Sequence, residues 1–374
     1  MSGDVLFWSF EQKVDGFANM EKRFPFRTIK KGKGIRPLLS RSEPLTVDIA
    51  LDEQTSWTLD EFMTKNKTAG LLIIHNDQVI VEKYGLGLSP QGRWTSFSVA
   101  KSFTSTLVGA AIKDGFIESL EDPITRYLPG LKGSAYEQVT VRHLLNMTSG
   151  VQWNEDYEDP NSDVAKFIAE PSIDGSDPTV TYMARLARAS EPGSEWAYKT
   201  GETNLVGSLI QAATGKNLST YLSEKIWAPH GMQQDAFWLL NPGGYEIAGC
   251  CVSASLRDYG RFAHFFLNGA MVDGQSIVPS GWIQAATRST EAARTAMRSN
   301  AGYGFQWWTT PQSSYFAAGI FGQGIWLNPD LNLIIVTLSA WDGAVDRTMR
   351  RNRQKMIEAV ERAVTSSAKP ERRN

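Results

Sequence analysis

Ser98-Val99-Ala100-Lys101-Ser102-Phe103-Thr104-Ser105-Thr106-Leu107-Val108-Gly109 is the stretch on which the reading of this chain turns. It sets a hydroxyl and an amine three residues apart at the start of a predicted helix, where i and i+3 side chains share a face. The N-terminal end of a helix disfavours positive charge, so a lysine seated there loses its proton more readily than one in water. A neutral amine beside an alcohol is what activation of a serine nucleophile requires. Spacing alone decides little, because Ser366-Ser367-Ala368-Lys369 repeats it inside a polar C-terminal tail where no pocket is expected. Context separates the two. Ser98 follows an apolar hairpin and opens a helix rich in small residues (Val108, Gly109, Ala110, Ala111, Ile112), which predicts a buried, tightly packed seat.

Working outward, Ala69-Gly70-Leu71-Leu72-Ile73-Ile74 and Val79-Ile80-Val81-Glu82-Lys83-Tyr84 flank Asn76-Asp77-Gln78, a β-hairpin with turn residues at its tip. From Ser98 to about residue 295 the periodicity is mostly helical, broken by long polar loops. Thr140 reads as an N-cap for the segment Val141 to Leu145, and Ser255-Leu256-Arg257-Asp258 as a capping box. Gly215 reads as a helix stop. Strand character returns in the segments 302–308, 315–320, 324–327 and 333–338, with turn chemistry at Asn328-Pro329-Asp330. A final amphipathic helix is predicted from about Asp346 to Val364, before a disordered tail. The economical topology is an α+β fold in which residues 46–97 and 296–374 form one antiparallel sheet flanked by helices. Residues 98–295 are then an inserted, mainly helical domain, and residues 1–45 an N-terminal extension. A cleft between sheet and insertion is the expected site.

Composition bounds the function. The chain has 374 residues, is 42% hydrophobic and 21% charged, and carries a formal net charge of −2, so electrostatics name no partner. Cys250 and Cys251 are adjacent and are expected to stay unpaired, leaving no disulfide framework. Asp4, Glu11 and Asp15 interrupt the first twenty residues, which argues against an ordinary signal peptide, and no apolar run is long enough to span a bilayer. A soluble, cytoplasmic protein without a membrane partner is expected. Lys22, Arg23, Arg27, Lys30, Lys31, Lys33, Arg36 and Arg41 form a basic segment. No groove-reading or aromatic-interleaved motif accompanies them, so a solvated arm draped over the body is favoured over a nucleic-acid site. His75, His143, His230 and His264 lack ligand spacing, and neither a metal nor a cofactor is expected.

Taken in order, the Ser98–Lys101 motif, Asp122-Pro123-Ile124-Thr125-Arg126-Tyr127-Leu128-Pro129, the segment from Val141 to Gly150, Ala228-Pro229-His230-Gly231-Met232 and Ala254-Ser255-Leu256-Arg257-Asp258 resemble the serine β-lactamase and penicillin-binding-protein superfamily. Within it the chain is most similar to class C-like esterases and 6-aminohexanoate-dimer hydrolases, a likeness sharpened by Trp153-Asn154-Glu155-Asp156-Tyr157 and Gly322-Gln323-Gly324-Ile325-Trp326-Leu327. The resemblance covers about residues 68 to 345. It implies a β-lactamase-like fold and a serine hydrolase that acts on a small ester or amide through an acyl-enzyme on Ser98.

The resemblance further implies that Lys101 and Tyr198 move protons for Ser98. On its facing strand the motif reads Ala317-Ala318-Gly319, and the N–H of Ile320 is expected to pair with that of Ser98 as an oxyanion hole. Relatives commonly carry a lysine or histidine where Ala317 stands, and often an asparagine where Thr200 stands. Both departures weigh against efficient β-lactam turnover. Tyr157 occupies the place of a substrate-binding tyrosine, with Gly319 and Gln323 as further substrate-binding candidates, and Trp153 is expected to be a core or pocket-wall residue. Apolar Ile168 stands where nylon-dimer hydrolases carry an acid, so an ester or a linear amide with an uncharged acyl part is the expected substrate. The alternatives are a penicillin-recognising protein and a catalytically silent binding protein of the same fold.

Overall fold

A computed structural model describes residues 3–43, 45–297 and 301–367. Elements used below are, in chain order, α1 (Phe10–Ala18), β1 (Phe26–Ile29), β2 (Leu39–Ser40), α2 (Leu59–Lys65), β3 (Thr68–His75), β4 (Gln78–Tyr84), β5 (Trp94–Thr95), α3 (Ala100–Lys113), α4 (Val141–Asn146) and α5 (Thr200–Thr214). They continue with β6 (Ala236–Leu239), β7 (Val252–Ala254), α6 (Leu256–Leu267), β8 (Gly302–Tyr303), β9 (Trp308–Thr309), β10 (Tyr315–Gly319), β11 (Gln323–Asn328), β12 (Leu333–Ser339) and α7 (Arg347–Ser367).

The large sheet has eight strands in the order β8-β9-β10-β11-β12-β3-β4-β2. All its neighbours are antiparallel except the short β2, which lies parallel to β4. The hairpin β3–β4 turns through Asn76 and Asp77, both at positive φ, as polar turn residues tolerate. Side-chain alternation divides its apolar runs between two faces. Leu71 and Ile73 of β3, with Leu333 and Ile335 of β12, join a cluster under α2 and α7, while Leu72, Ile74, Ile334, Val336 and Leu338 face the main core. Both faces are therefore covered, and the strands read as unbroken apolar runs. Helix α6, capped by Ser255, lies on the inner face so closely that a Cβ at Gly260 would meet Leu72 at 2.4 Å.

Helix α3 is buried from Ala100 to Ala111. Its hydroxyls are spent rather than orphaned: Ser102 donates to the Gln306 carbonyl at 2.8 Å, Thr104 to that of Ala248 at 2.8 Å, and Ser105 to that of Phe305 at 2.6 Å. A serine- and threonine-rich helix can thus sit in the core without leaving polar groups unpaired. The caps at Thr140 and Ser255 form, and Gly215 ends α5 at φ 68°.

Two expectations, those for the cysteines and for the last helix, need correction. The basic arm lies over the body with its cationic side chains exposed except for the half-buried Arg27, and it is tied in by pairing: β1 pairs with β6, giving a second sheet in the order β1-β6-β7-β5, and Arg27 forms an ion pair of 2.7 Å with the buried Glu246. The segment 98–295 correspondingly contains two strands of that sheet among its helices. Cys250 and Cys251 are joined to each other, although they tie no distant segments together. The final helix runs on to Ser367, and the tail expected beyond it, residues 368–374, lies outside the described residues.

Candidate active site

Ser98 sits in a short 3-10 turn, Phe97–Val99, just ahead of α3, and Lys101 is the second residue of that helix. Phe97 holds φ 42°, a left-handed backbone that is costly for a bulky side chain. Phe321, just past Ile320, is likewise left-handed at φ 59°. The two rings lie 5.4 Å apart, and Phe17 of α1 packs on both, at 4.9 and 5.3 Å. One aromatic plug from the N-terminal extension thus holds both unusual turns beside the serine.

Lys101 is only 1% exposed. Its Nζ lies 3.0 Å from Ser98 Oγ, 3.0 Å from Thr200 Oγ1 and 2.9 Å from the Gly249 carbonyl. Burial lowers its pKa to about 8, against an opposing pull from Glu155. Helix α5 supplies Thr200 from its first position, and Gly249 approaches that turn so closely that a Cβ would meet Thr200 Cγ2 at 3.0 Å.

Glu155 is a residue that sequence reasoning passed over. Its carboxylate accepts from the Trp153 indole, from the Tyr157 hydroxyl at 2.6 Å, from the Thr200 N–H at 2.8 Å, and from the Thr200 hydroxyl. The signal was present in Trp153-Asn154-Glu155-Asp156-Tyr157, because alternate residues of an extended segment face the same way. Trp153 is half-buried against the main core, and it also anchors this carboxylate.

Tyr198 lies in the loop before α5, its ring stacked on Trp308 at 5.6 Å, with Lys101 Nζ 4.9 Å over the ring centroid. Burial raises its phenol pKa far above the ordinary value, outweighing a hydrogen bond with Ser98. Lys101 Nζ faces the ring, and burial favours the neutral phenol.

Gly319, at the end of β10, lets the strand close on the serine turn; a Cβ there would meet the Ser96 carbonyl at 2.5 Å and the Ser98 nitrogen at 3.1 Å. Ile320 follows and lines the same space as Ser98. Gln323 is placed differently from expectation. It is fully buried, its amide donating to the Ile320 and Ser339 carbonyls at 3.2 and 2.8 Å and accepting from the Ser339 N–H at 2.9 Å. Its side chain is spent on holding strand ends together and does not line the cavities at Ser98.

Ser98 stands between two spaces. A narrow one of about 40 Å3 is walled by Val5, Leu6, Val164, Phe167, Ile168 and Ile247. An open one of about 250 Å3 is lined by Tyr198, Trp308, Trp341, Val345, Arg350 and Arg353. Tyr157 borders both. His143 is occupied in the α4 cap, accepting from the Thr140 N–H at 3.2 Å.

The beta-lactamase family model matches residues 58–358, a span containing Ser98, Lys101, Glu155, Tyr198 and Ile320. The chain belongs to the beta-lactamase family. Over 296 residues it is 30% identical to the 6-aminohexanoate-dimer hydrolase of Paenarthrobacter ureafaciens, covering 76% of this chain and 75% of that one. Among solved structures, a Bacillus anthracis protein proposed to be a 6-aminohexanoate-dimer hydrolase superposes with a TM-score of 0.84 at 21% identity, over 99% of both chains. EstCE1, a hydrolase with promiscuous acyltransferase activity, does so with a TM-score of 0.63 at 14% identity, over 79% of this chain and 95% of that one. The expected β-lactamase-like α+β fold is thus present, and the family makes the chain a serine hydrolase of esters or amides. No helix among the described residues is long and apolar enough to cross a membrane.

Proposed function

We propose that Ser98 is the nucleophile of a hydrolase for small, apolar carboxylic esters, with linear amides as the slower class. The observation that carries this is the hydrogen bonding of Lys101. The Gly249 carbonyl can only accept, and the Thr200 hydroxyl gives its proton to Glu155 and so also accepts from the amine. Both N–H bonds of a neutral amine are thereby used, and its lone pair is left for the Ser98 hydroxyl at 3.0 Å. Glu155 acts at one remove, orienting Thr200.

In this reading Lys101 takes the Ser98 proton as Oγ attacks the substrate carbonyl. The N–H groups of Ser98 and Ile320 receive the oxyanion, and the tetrahedral intermediate collapses to an acyl-enzyme. Tyr198, a neutral phenol beside Ser98, hands its proton to the leaving alcohol or amine, and protonated Lys101 gives the phenolate the proton it took from Ser98, so that both groups end neutral. Water then attacks the acyl carbonyl, its proton passing to Lys101 and from there to the departing Ser98 Oγ, so that the carboxylic acid leaves and the serine and neutral amine are restored. The narrow apolar space takes a short uncharged acyl or alkyl group, with Tyr157 on the border it shares with the open space and Gly319 lining the open side.

One observation favours a second reading, penicillin recognition. Arg350 and Arg353 on the wall of the open cavity supply the cationic character missing at Ala317. A panel of short p-nitrophenyl esters, anilides and a chromogenic cephalosporin decides between them. Rapid ester turnover with negligible cephalosporin opening is expected, whereas preferential opening of the cephalosporin would overturn the ester assignment.

A further inference from the structure

A groove of about 430 Å3 lies between α7 and the outer face of the large sheet, floored by Phe316, Trp326 and Ile335. These residues are successive register partners across β10, β11 and β12, so they form one apolar row, and the rings of Phe316 and Trp326 stack at 5.4 Å. The volume is that of a site for a small organic molecule.

The opposite wall is cationic. Arg347, Arg350 and Arg351 project from the first turns of α7, all exposed. Nearby carboxylates are already engaged: Asp346 accepts from the Met349 N–H at 2.9 Å, Glu358 from Gln354 at 3.2 Å, and Glu361 from Trp326 and Asn328 at 3.0 and 2.8 Å. Among the described residues, none of the three guanidiniums has a carboxylate partner. Their placement is unfavourable by itself, because like charges crowd the positive end of the helix dipole and the first turn holds no acid. Arg353, one turn on and partly buried, donates to the Gly322 and Gln323 carbonyls and lies 4.9 Å over the Trp341 ring, with no carboxylate partner among the described residues, and burial and Arg350 both disfavour its charge. An anion in the groove would offset all of these costs.

We propose that this groove binds an amphipathic carboxylate, its alkyl or aryl body laid along Phe316, Trp326 and Ile335 and its head group held by Arg347, Arg350 and Arg351. The groove shares Arg350 and Arg353 with the wall of the open cavity at Ser98 but has its own apolar floor, and its case does not depend on the hydrolase reading.

The test is calorimetric titration of octanoate, with octanol as the uncharged control, into protein whose Ser98 has been capped with a fluorophosphonate. Octanoate is expected to bind the capped protein about tenfold or more tightly than octanol. The double variant Arg347→Ala/Arg351→Ala, whose residues do not line the cavities at Ser98, is expected to lose about tenfold in octanoate affinity at unchanged ester turnover. Equal affinity for octanol, or undiminished octanoate binding by the double variant, would refute the groove. So would octanoate binding that capping abolishes, since that places the ligand in the catalytic cleft. If no cap forms on Ser98, the proposed nucleophile fails, and the same titration on untreated protein and on the double variant still decides the groove.

Discussion

Lys101 Nζ is enclosed by three oxygen atoms, and the direction of each hydrogen bond follows from what that oxygen can do. In the proposed mechanism the neutral amine is the working form, so with its pKa lowered to about 8, kcat/KM for an ester should rise with pH through about 8 and level off above it. Glu155 raises that pKa, so in Glu155→Gln the rising limb should move to lower pH; a limb left in place would exclude the coupling. Thr200→Val removes the orienting hydroxyl while keeping the shape. It should cost kcat about 10²-fold with little change in KM, measured by steady-state ester kinetics. Ser98 and Lys101 were legible in the sequence because their pairing is local to one helix start. Alternation in Trp153–Tyr157 placed Glu155 with its neighbours, but its contact with Thr200 across the fold was not legible, nor was the fate of Gln323, which depends on which strand ends meet.

Among the elements, α1 does more than its position at the start of the chain suggests. Phe17 is fully buried and wedges between Phe97 and Phe321, the two left-handed residues flanking the proposed oxyanion donors. Phe17→Ala should cost about 3–5 kcal/mol of stability in denaturant unfolding. It should also lower kcat more than KM rises, as the two turns relax. The strand β10 admits no side chain at Gly319, so Gly319→Ala should displace it from Ser98 and lower kcat sharply in ester assays. Wild-type turnover in Gly319→Ala would contradict the close approach. The hairpin β3–β4, the caps at Thr140 and Ser255 and the stop at Gly215 were all readable, since each is written in adjacent residues. Strand β1 was hidden because the basic residues around it signal solvent and its partner β6 lies far along the chain.

At the scale of the molecule, the basic arm is built into the second sheet, and Arg27 pairs with the buried Glu246, which also accepts from the Ser219 N–H at 3.0 Å. Arg27→Ala strands that carboxylate and should destabilise the protein by about 1–3 kcal/mol, read from the shift in the denaturant midpoint. A midpoint equal to wild type would show the arm to be dispensable. The whole fold serves to press a helix start, a strand end and a loop corner together around one alcohol. Site-resolved labelling with a fluorophosphonate, followed by mass spectrometry across pH, tests that most directly. The expected result is one adduct, on Ser98, forming faster as pH rises through about 8 and lost in Lys101→Ala. An adduct on another serine, or Lys101→Ala labelling at the wild-type rate, would contradict it.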